Sequence, residues 1–586
     1  MYTIETTTVL SDSSGMGNFA LRPDTSYGVA LRHQLRENSM LNSDPSPEVD
    51  PTLLGLEESF KLAVNHISRW GDTDVFPFAP ENIIFHDRKD ETVSLLKKID
   101  ANLTSALDSH PPYIEGALSL ITYEGFRYVS QIDPIWNAYM LGLALRISPE
   151  IEAARIPPSQ QAVFSYRLNI NRETSSIFEI GSWNSFSEAS QSIAQNYNYI
   201  AICDIADFYG RIYHHRLQNS LNLLGEVGDV PSKIIKLLTG FSGGVSYGLP
   251  VGGQAARIFS ELLLNRVDRL LVSRGIKFCR YADDYRLFAD TREDAFRALV
   301  FLTEALLRNE GLTLQRHKTR VLSTKDFVRS PLLLPEDSDE LSPQERDERR
   351  LLKLSLRFDP YSDTRDEDYE RLRHDVEQFD VIGMLTAEVA KSRVNSPVVK
   401  KLARIIKLFD VEVRDAAAEM LVANLDVLAP ALPVVLRVLE EVLPNVSPAL
   451  AKKLPAEIRR RIEAEEYWVM VPVNLAYALR ILKHDHSEEN VPLAAKLFES
   501  APPFIQRDIV YLMHGWKADY WLSDKRKQWR NLHPWVQRAI LLASFSLGDE
   551  GRHWRQSISR GISGFDDIAK KWMEERVKDN RKDLPF

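Results

Sequence analysis

The sequence has few cysteines and no long apolar run. Two cysteines, Cys203 and Cys279, occur in 586 residues, so the chain cannot form the disulfide framework of a small secreted protein. No run of about eighteen apolar residues occurs, which excludes a typical transmembrane helix. The N-terminal residues, MYTIETTTVLSDSSG, lack the positive region and the apolar region of a signal peptide. These absences predict a soluble intracellular protein.

Positive charge is also not in excess. The chain has 73 Lys and Arg residues against 82 Asp and Glu residues, a formal net charge of −9. A protein that coats duplex nucleic acid without sequence preference is usually basic, so this composition excludes such a protein. Residues 251–330 are net basic by contrast. The composition therefore allows a local basic channel within an acidic protein.

The pattern along the chain indicates three regions. Residues 1–50 are polar and lack periodicity, which predicts an N-terminal arm. Residues 51–345 mix strand-like runs, glycine-rich turns and amphipathic helices, and the charged stretch 334–350 predicts a surface linker. Residues 346–586 show helical periodicity almost throughout. The predicted fold is α+β, followed by an all-α domain whose serial helices resemble HEAT-like repeats, with a plain helical bundle as the alternative.

Three local patterns predict which side chains are buried or exposed. The segment 396–410 predicts a helix with one apolar stripe: Val399, Leu402, Ile405, Ile406 and Phe409. A second helix, capped by Thr291, is predicted to bury Phe296, Leu299, Val300, Leu306 and Leu307. Exposed aromatic side chains are predicted at Trp516, Trp521, Trp529, Trp535 and Trp554. Because aromatic residues are enriched at interfaces, the tryptophans predict a homo-oligomer; filling of the helical core is the alternative.

The strongest chemical signal is KFCRYADDYRLFAD at 277–290. Alternation on both sides of Ala282, Asp283 and Asp284 predicts a β-hairpin with two adjacent carboxylates at its tip. Their repulsion is relieved by a cation or by protons, and hard oxygen ligands suit magnesium. Taken alone, an Asp-Asp pair in a turn is more often solvated.

Three further segments change that interpretation. YNYIAICDIADFYG contains a strand-like run that ends at Asp204, SYGLPVGG leads into an amphipathic helix, and GLTLQRHKT contains Lys318. In this order the four segments resemble the palm of reverse transcriptases. Motif A corresponds to 204–209, motif B to 248–252, motif C to 281–284 and motif D to 311–318.

This resemblance implies nucleotidyl transfer by two Mg²⁺ ions, with Mn²⁺ as an alternative. Asp204, Asp283 and Asp284 would be catalytic, and the metal site would comprise these three residues and Ile205. The implied nucleotide-binding residues are Arg127, Arg167, Asp207, Phe208, Tyr209, Pro250, Gly252 and Lys318. Tyr209 would act as the steric gate against a ribose 2′-hydroxyl.

For several of these implied nucleotide-binding residues, a purely structural role is the alternative. Tyr209 can be a core tyrosine, Lys318 a solvated lysine, and Arg127 and Arg167 members of structural ion pairs. Arg257 and Glu261, four residues apart on the predicted motif B helix, are predicted to form an ordinary helix salt bridge. Cys203 and Cys279 are predicted to be buried packing residues.

Val251 stands where common reverse transcriptases have glutamine, which puts ordinary template handling in doubt. Leu-Pro-Val-Gly, WGDTDVFPF at 70–78, Phe-Ser-Tyr-Arg at 164–167 and the helical C-terminal half resemble the abortive-infection (Abi) reverse transcriptases of phage defence. This implies a cytoplasmic bacterial protein without membrane attachment that uses deoxynucleotides (dNTPs). It further implies a single-stranded DNA product, untemplated and protein-primed synthesis, and a homo-oligomer.

Protein priming requires a hydroxyl group that can reach the metals. Tyrosine is favoured because its phenol pKa, near 10, is lower than that of an aliphatic hydroxyl. The candidates are Tyr2, Tyr27 and Tyr520. Two alternatives remain for the whole protein: a templated RNA-dependent DNA polymerase of the retron or group II intron kind, and a catalytically silent palm whose helical half binds a partner.

Overall fold

The computed structural model describes residues 54–328, 342–354, 356 and 365–586. The predicted arm, 1–50, with Tyr2 and Tyr27, lies outside the described residues. The strands are β1 (Ile114–Leu120), β2 (Phe126–Ile132), β3 (Leu168–Asn171), β4 (Ser176–Phe178), β5 (Tyr199–Asp204), β6 (Lys277–Tyr281), β7 (Asp284–Ala289) and β8 (Arg320–Ser323). The helices up to residue 328 are α1 (Leu56–Trp70), α2 (Glu81–Asp87), α3 (Lys89–Ala101), α4 (Leu103–Ser109), α5 (Pro134–Arg146), α6 (Ser148–Ala154), α7 (Ser182–Ala194), α8 (Phe208–Arg211), α9 (His214–Asn222), α10 (Val230–Phe241), α11 (Gln254–Ser273), α12 (Arg292–Ala305) and α13 (Thr324–Val328).

Helices make up the regular structure of the second half. They are α14 (Pro343–Lys353), α15 (Arg365–Glu377), α16 (Val381–Val389), α17 (Ser396–Ile405), α18 (Val411–Ala423), α19 (Leu432–Val442), α20 (Pro448–Glu463), α21 (Pro472–Leu482), α22 (Asn490–Phe498), α23 (Pro503–Gly515), α24 (Asp519–Lys527), α25 (Pro534–Ala543), α26 (Gly548–Ile558) and α27 (Phe565–Lys578). Together with the strands of the first half, they confirm a mixed fold with a helical C-terminal region.

The centre of the first half is an antiparallel sheet in the order β6-β7-β5-β8. Alternate side chains of each strand point to opposite faces of the sheet. Buried side chains pack against both of these faces. On one face Ile200, Cys279 and Phe288 pack with Phe186 of α7. On the other face Cys203 and its neighbours join the main core beside α11 and α12. Both cysteines are buried and unpaired, as predicted.

Helix α5 lies at the centre of the main core. Almost all of its side chains are buried, which is the pattern of a helix surrounded by protein. Asp133 caps its first turn, where Oδ1 accepts a hydrogen bond from Ile135 N–H at 3.2 Å. A Cβ atom at Gly142 would lie 2.3 Å from the Phe60 ring, so glycine allows α1 to pack closely against α5.

The helices of the second half form two rows. Helices α17, α19, α21, α23 and α25 pack one against the next, and α16, α18 and α20 form part of a second row. In α17, Val399, Leu402, Ile405 and Ile406 are buried and Phe409 packs against the core, which confirms the predicted stripe. The helical character of this half is confirmed, whereas a HEAT-like repeat stays a prediction.

The row that begins with α17 packs against the first half of the chain. Trp535 on α25 donates from Nε1 to Asp133 Oδ2 at 2.9 Å. Arg538 Nη2 lies 3.4 Å from the same carboxylate, and its Nη1 lies 3.4 Å from Glu81 Oε1. Trp572 donates to Asp87 Oδ2 at 2.7 Å. Residues 51–586 therefore make up one compact unit.

The predicted linker 334–350 is wrong from residue 342 onward. Ser342 Oγ accepts a hydrogen bond from Glu345 N–H, and the Glu345 side chain accepts one from Ser342 N–H. This capping box begins α14, with Pro343 in its first turn, and Leu351 is fully buried. Residues 329–341 lie outside the described residues.

One burial prediction is wrong in part and a second is wrong. In α12 the buried side chains are Ala295, Ala298, Leu302 and Ala305. Of the five predicted residues, Leu306 is fully buried and Leu299 packs against the core, whereas Phe296, Val300 and Leu307 are exposed, because the sheet contacts the alanine face of α12. Of the five tryptophans, Trp521 and Trp535 are buried, and Trp516, Trp529 and Trp554 are half-buried against the core. They fill the helical half and so provide no exposed aromatic patch. In the described ranges no helix is long and apolar enough to cross a membrane.

Candidate active site

Three carboxylates meet where β5 ends beside the β6–β7 turn. Asp204 and Asp284 are directly paired in the β5–β7 register. Ile205 N–H donates to Asp283 O at 3.1 Å, which fixes the turn against the end of β5. Ala282 adopts a left-handed conformation, with φ of 51°, and this tight turn places Asp283 and Asp284 next to each other.

The cluster carries negative charge that its surroundings do not fully offset. Burial raises the pKa of Asp283, and the nearby Asp204 raises it further. Burial, Asp283 and Asp204 together raise the pKa of Asp284 to about 7. Arg127 and Lys318 act in the opposite direction on Asp283. A site that resists the ionisation of its own carboxylates is one where a cation stabilises the protein.

Lys318 is already placed at this cluster. Its Nζ lies 2.8 Å from Asp204 Oδ2. The segment before it is fixed to motif A through the main chain, because Ala206 N–H donates to Thr313 O at 2.8 Å and Gln315 N–H donates to Asp204 O at 2.7 Å. The structure therefore brings the predicted motif D to the three carboxylates, next to Asp204.

The donor types suit a divalent metal, although no finished metal cage is present. Within the described ranges, no three His, Cys, Asp or Glu side chains form a group that could hold a metal ion, and Asp204 is turned toward Lys318. Carboxylate oxygens are nevertheless the ligands that magnesium prefers. Ile205 is buried and its N–H is occupied, which leaves its carbonyl oxygen as the group that can bind a cation.

Tyr209 is the last residue of motif A and contacts motif B. Its ring packs against Phe208 at a centroid distance of 5.1 Å, and its main-chain oxygen accepts a hydrogen bond from Leu249 N–H at 2.8 Å. Burial and the adjacent Tyr166 hold the pKa of its hydroxyl well above the usual range. Phe208 is buried and Asp207 is exposed, so only the latter of these two side chains is free to reach a ligand.

Motif B contacts the segment after motif A, strand β2 and the region before β1. Gly248 N–H donates to Ile212 O at 2.8 Å, and Ser130 N–H of β2 donates to Val251 O at 3.1 Å. Gly252 has a φ of 117°, and a Cβ atom there would lie 2.6 Å from Thr73 Oγ1. Only glycine suits this backbone. Pro250 is buried and contributes through the shape of the loop.

The two predicted phosphate-binding arginines differ in their surroundings. Arg127 is exposed on β2 and close enough to Asp283 to lower its pKa. Arg167 is buried, and its guanidinium donates to Glu152 at 2.5 Å, to Ile156 O at 2.5 Å and to Val163 O at 3.1 Å. These bonds use its donors and favour the structural ion pair for Arg167.

A buried ion network beneath the turn was missed from the sequence. Arg280 on β6 is fully buried and pairs with Glu261 at 2.9 Å and Asp268 at 2.7 Å, both on α11. Its Nη1 also donates to Ala282 O at 3.0 Å, so it supports the turn that carries Asp283. The predicted Arg257–Glu261 pair is wrong: Arg257 binds Asp74 instead. The Glu261 side chain faces the core, and its negative charge is balanced by Arg280 of β6. The signal in the sequence for this network was Arg280, a charged residue at a strand position whose side chain points into the core.

The family comparison agrees with this geometry. Residues 143–373 match the model of the family described as reverse transcriptase (RNA-dependent DNA polymerase). The chain contains a reverse transcriptase domain. The match includes all four motifs and the buried Arg280 network. It extends beyond residue 345, and the boundary between the two halves at that residue stays a prediction.

Other comparisons are weak. No curated protein matches the chain. Among solved structures, a telomerase of Candida albicans in complex with a fragment of telomeric RNA has 10% identity and a TM-score of 0.29, covering 65% of this chain and 70% of that chain. The apo telomerase of Candida tropicalis has 11% identity and a TM-score of 0.28, covering 65% and 73%. TM-scores this low establish no common fold.

Proposed function

We propose that the protein is a DNA polymerase that joins deoxynucleotides by metal-dependent nucleotidyl transfer. The observation that carries the proposal is the register that brings Asp204, Asp283 and Asp284 together, within a domain whose family makes DNA. These three carboxylates and the Ile205 carbonyl would hold two Mg²⁺ ions, or Mn²⁺ ions. Such ions would supply charge neutralisation and a lowered pKa for the attacking hydroxyl.

The remaining residues would position the incoming dNTP. Lys318 would exchange Asp204 for a phosphate of the nucleotide, where its charge favours the leaving group. Arg127, close to Asp283, would make a second phosphate contact. Tyr209 would limit the space beside the sugar, supported by the main-chain bond from Leu249. Asp207 is the exposed polar side chain next to that gate.

We further propose that the enzyme belongs to the abortive-infection branch and acts in the bacterial cytoplasm against phage. The support is the motif resemblance, including Val251 in motif B. In this proposal synthesis needs no template, a tyrosine supplies the first hydroxyl, and the single-stranded product stays attached to the protein. Tyr520 is 72% exposed at the start of α24, so its hydroxyl is available. The proposal of a homo-oligomer rests on the resemblance alone, since the five tryptophans are buried or half-buried against the core.

The central test is incorporation of labelled dNTPs by the purified protein with Mg²⁺. The wild-type protein should incorporate labelled dNTPs. Asp283→Asn combined with Asp284→Asn should abolish this incorporation. The melting temperature of this double variant should be unchanged or higher than that of wild type, because two repelling buried carboxylates are neutralised. The matched control is Asp290→Asn combined with Glu293→Gln, the same charge change at exposed positions just beyond β7. Full incorporation by the first variant would overturn the assignment and favour the silent palm.

The same reaction distinguishes protein priming from templated synthesis. Label that migrates with the protein, is released by protease and is lost in Tyr520→Phe, Tyr2→Phe or Tyr27→Phe supports priming by that residue. Label found only in free DNA, and only with an added template and primer, favours a templated enzyme of the retron or group II intron kind.

A further inference from the structure

A cavity of about 740 Å³ lies between residues 70–83 and the helices α17, α19 and α21. Its lining contains the side chains of Trp70, Phe78, Arg404, Arg437, Tyr477 and Arg480, and none of the catalytic carboxylates. Trp70 is 51% exposed and Phe78 is 42% exposed. Aromatic surface therefore remains open in a cavity that also contains three guanidinium groups.

The acidic residues of this cavity are already paired. Asp74 binds Arg257, Glu440 Oε1 lies 2.5 Å from Lys483, and Glu441 Oε2 lies 3.4 Å from Lys407. Glu441 Oε1 also lies 3.6 Å from Arg437, and Arg480 lies 3.6 Å from Asp508.

Arg404 forms no ion pair with the residues that the structure describes. Desolvation and the adjacent Arg437 lower its pKa, and the nearby Glu441 carboxylate acts in the opposite direction. The cavity therefore contains an exposed guanidinium group that forms no ion pair in the described part of the chain, and such a group can bind an anionic ligand.

Further cationic side chains lie on α17 beyond this cavity and on the β1–β2 hairpin. Lys400 lies one helical turn before Arg404 on α17 and, in the described ranges, also has no ion pair. The charge of Arg127 lowers the pKa of Asp283 and contributes to lowering that of Lys400. We call Arg127, Lys400, Arg404 and Arg437 the basic track.

The β1–β2 hairpin links Arg127 to the helical half that carries the other three residues of the basic track. At its tip, the Tyr123 hydroxyl donates to Val427 O at 2.6 Å and accepts from Val394 N–H at 3.1 Å. These contacts fix the hairpin to the helical half beside α17. On β2, Arg127 shares a strand face with Val129, which is fully buried. Arg127 therefore lies on the hairpin that contacts the helical half, and it is close enough to the β6–β7 turn to act on Asp283.

We propose that the basic track binds the phosphates of a single DNA strand and that the cavity at its end stacks the bases. A row of cations that ends in exposed aromatic rings is the arrangement by which proteins hold single strands without sequence preference. A free nucleotide would occupy the cavity without using Lys400 or Arg127. The identification of the strand as the enzyme's own product rests on the proposed function, whereas the binding itself does not.

The test measures binding in the Asp283→Asn, Asp284→Asn protein, which removes catalysis from the readout. The probe is a fluorescent oligothymidylate of about twenty nucleotides, followed by anisotropy over a range of salt concentrations. Lys400→Gln with Arg404→Gln should weaken binding about tenfold and reduce the slope of log K against log salt by about 1.4, the value for two lost phosphate contacts. The control is Lys452→Gln with Lys453→Gln, two exposed lysines on α20 outside the cavity.

A second variant keeps the test independent of the folding of α17. Trp70→Ala, at the cavity rim, should weaken binding about fivefold or more through lost stacking and leave the salt slope unchanged. Equal affinity and slope for the track variant and its control, with circular dichroism showing both folded, would overturn the proposal. So would full displacement of the oligomer by thymidine monophosphate at the same phosphate concentration, which would assign the cavity to a mononucleotide.

The two proposals can fail separately. Strand binding that depends on the track, in a wild-type protein that incorporates no dNTP, would contradict the polymerase proposal and leave the track intact. Normal incorporation together with track-independent binding would contradict only the track.

Discussion

The Asp284 carboxyl group shows how a backbone register sets up chemistry. Its pairing with Asp204 and its position next to Asp283 hold three like charges together, and burial with these neighbours raises its pKa to about 7. Without a cation, such a cluster costs free energy when it ionises. The fold therefore sustains a destabilising arrangement at the point where charge neutralisation by metal ions would be useful for catalysis.

Tyr209→Ala should relax sugar selection. Removing the ring opens space beneath the nucleotide site, so use of ribonucleotides relative to deoxynucleotides should rise about tenfold or more. The measurement is the ratio of kcat/KM for the two nucleotides. Tyr209→Phe, which keeps the ring and removes the hydroxyl, is the matched control and should leave the ratio near that of wild type. An unchanged ratio in an active alanine variant would assign Tyr209 to packing.

His66 should make folding sensitive to mild acid. Its Nδ1 lies 2.9 Å from Ser175 O, and burial lowers its pKa to about 4. Because the unfolded side chain binds a proton at higher pH than the folded one, stability is lost as pH falls below the unfolded value of about 6.5. Between about pH 7.5 and pH 5 this residue should contribute a loss of about 2 kcal/mol.

Denaturant unfolding of wild type and His66→Asn at several pH values checks this. Asparagine can keep the donation to Ser175 but does not titrate, so the variant should lose about 2 kcal/mol less over the same interval. Parallel pH profiles for the two proteins would contradict the expectation.

At the scale of elements, one buried arginine joins β6, the strand before the turn that carries Asp283 and Asp284, to helix α11. Arg280 on β6 pairs with Glu261 and Asp268 on α11, and Arg155, at the end of α6, binds Glu261 at 2.7 Å. The strand, the long helix and the segment after α6 are thus held in one orientation. Two carboxylates in a fully buried site require this cation.

Arg280→Met should destabilise the protein by roughly 3–5 kcal/mol, because it leaves buried carboxylates without their main partner. It should also lower incorporation, since Ala282 O loses the donor that supports the turn. Arg297→Met, whose side chain is 77% exposed on α12, is the control and should change stability by about 0.5 kcal/mol or less. Urea unfolding and the incorporation assay measure both effects; equal stability of the two variants would contradict the role of the network.

At the scale of the whole molecule, the helical half completes the core of the first half. Trp535 and Arg538 on α25 bind Asp133, the residue that caps the central helix α5. Arg538 also lies 2.6 Å from Asp566. Polar and charged groups of both halves are therefore satisfied only when the halves are together.

We expect a single unfolding transition in which far-UV circular dichroism and tryptophan fluorescence coincide. Arg538→Met should destabilise both halves by roughly 3–5 kcal/mol, because Asp133 and Glu81 stay buried without it. Arg530→Met, at an exposed position of the same half, should have little effect. Two separate transitions, or a shift seen by one probe only, would show that the halves unfold independently.

The local sequence pattern was sufficient to predict the elements that carry the candidate active site. The end of β5 at Asp204, the hairpin around Asp283 and Asp284, the Thr291 cap and the helical second half follow from alternation, turn residues and periodicity, which act between near neighbours. The four motifs also predicted the reverse transcriptase domain, because their order and spacing constrain one another.

Tertiary structure alone decided which distant groups meet. The partners of Arg257 and Arg280, the alanine face of α12, the burial of the tryptophans and the basic track all depend on contacts between segments far apart in the chain. Helical periodicity shows that a side chain shares a face with others, but it does not show which neighbour covers that face. Burial and charge pairing are properties of the packed structure, so they were determined only when distant segments of the chain, within the first half and between the two halves, packed together.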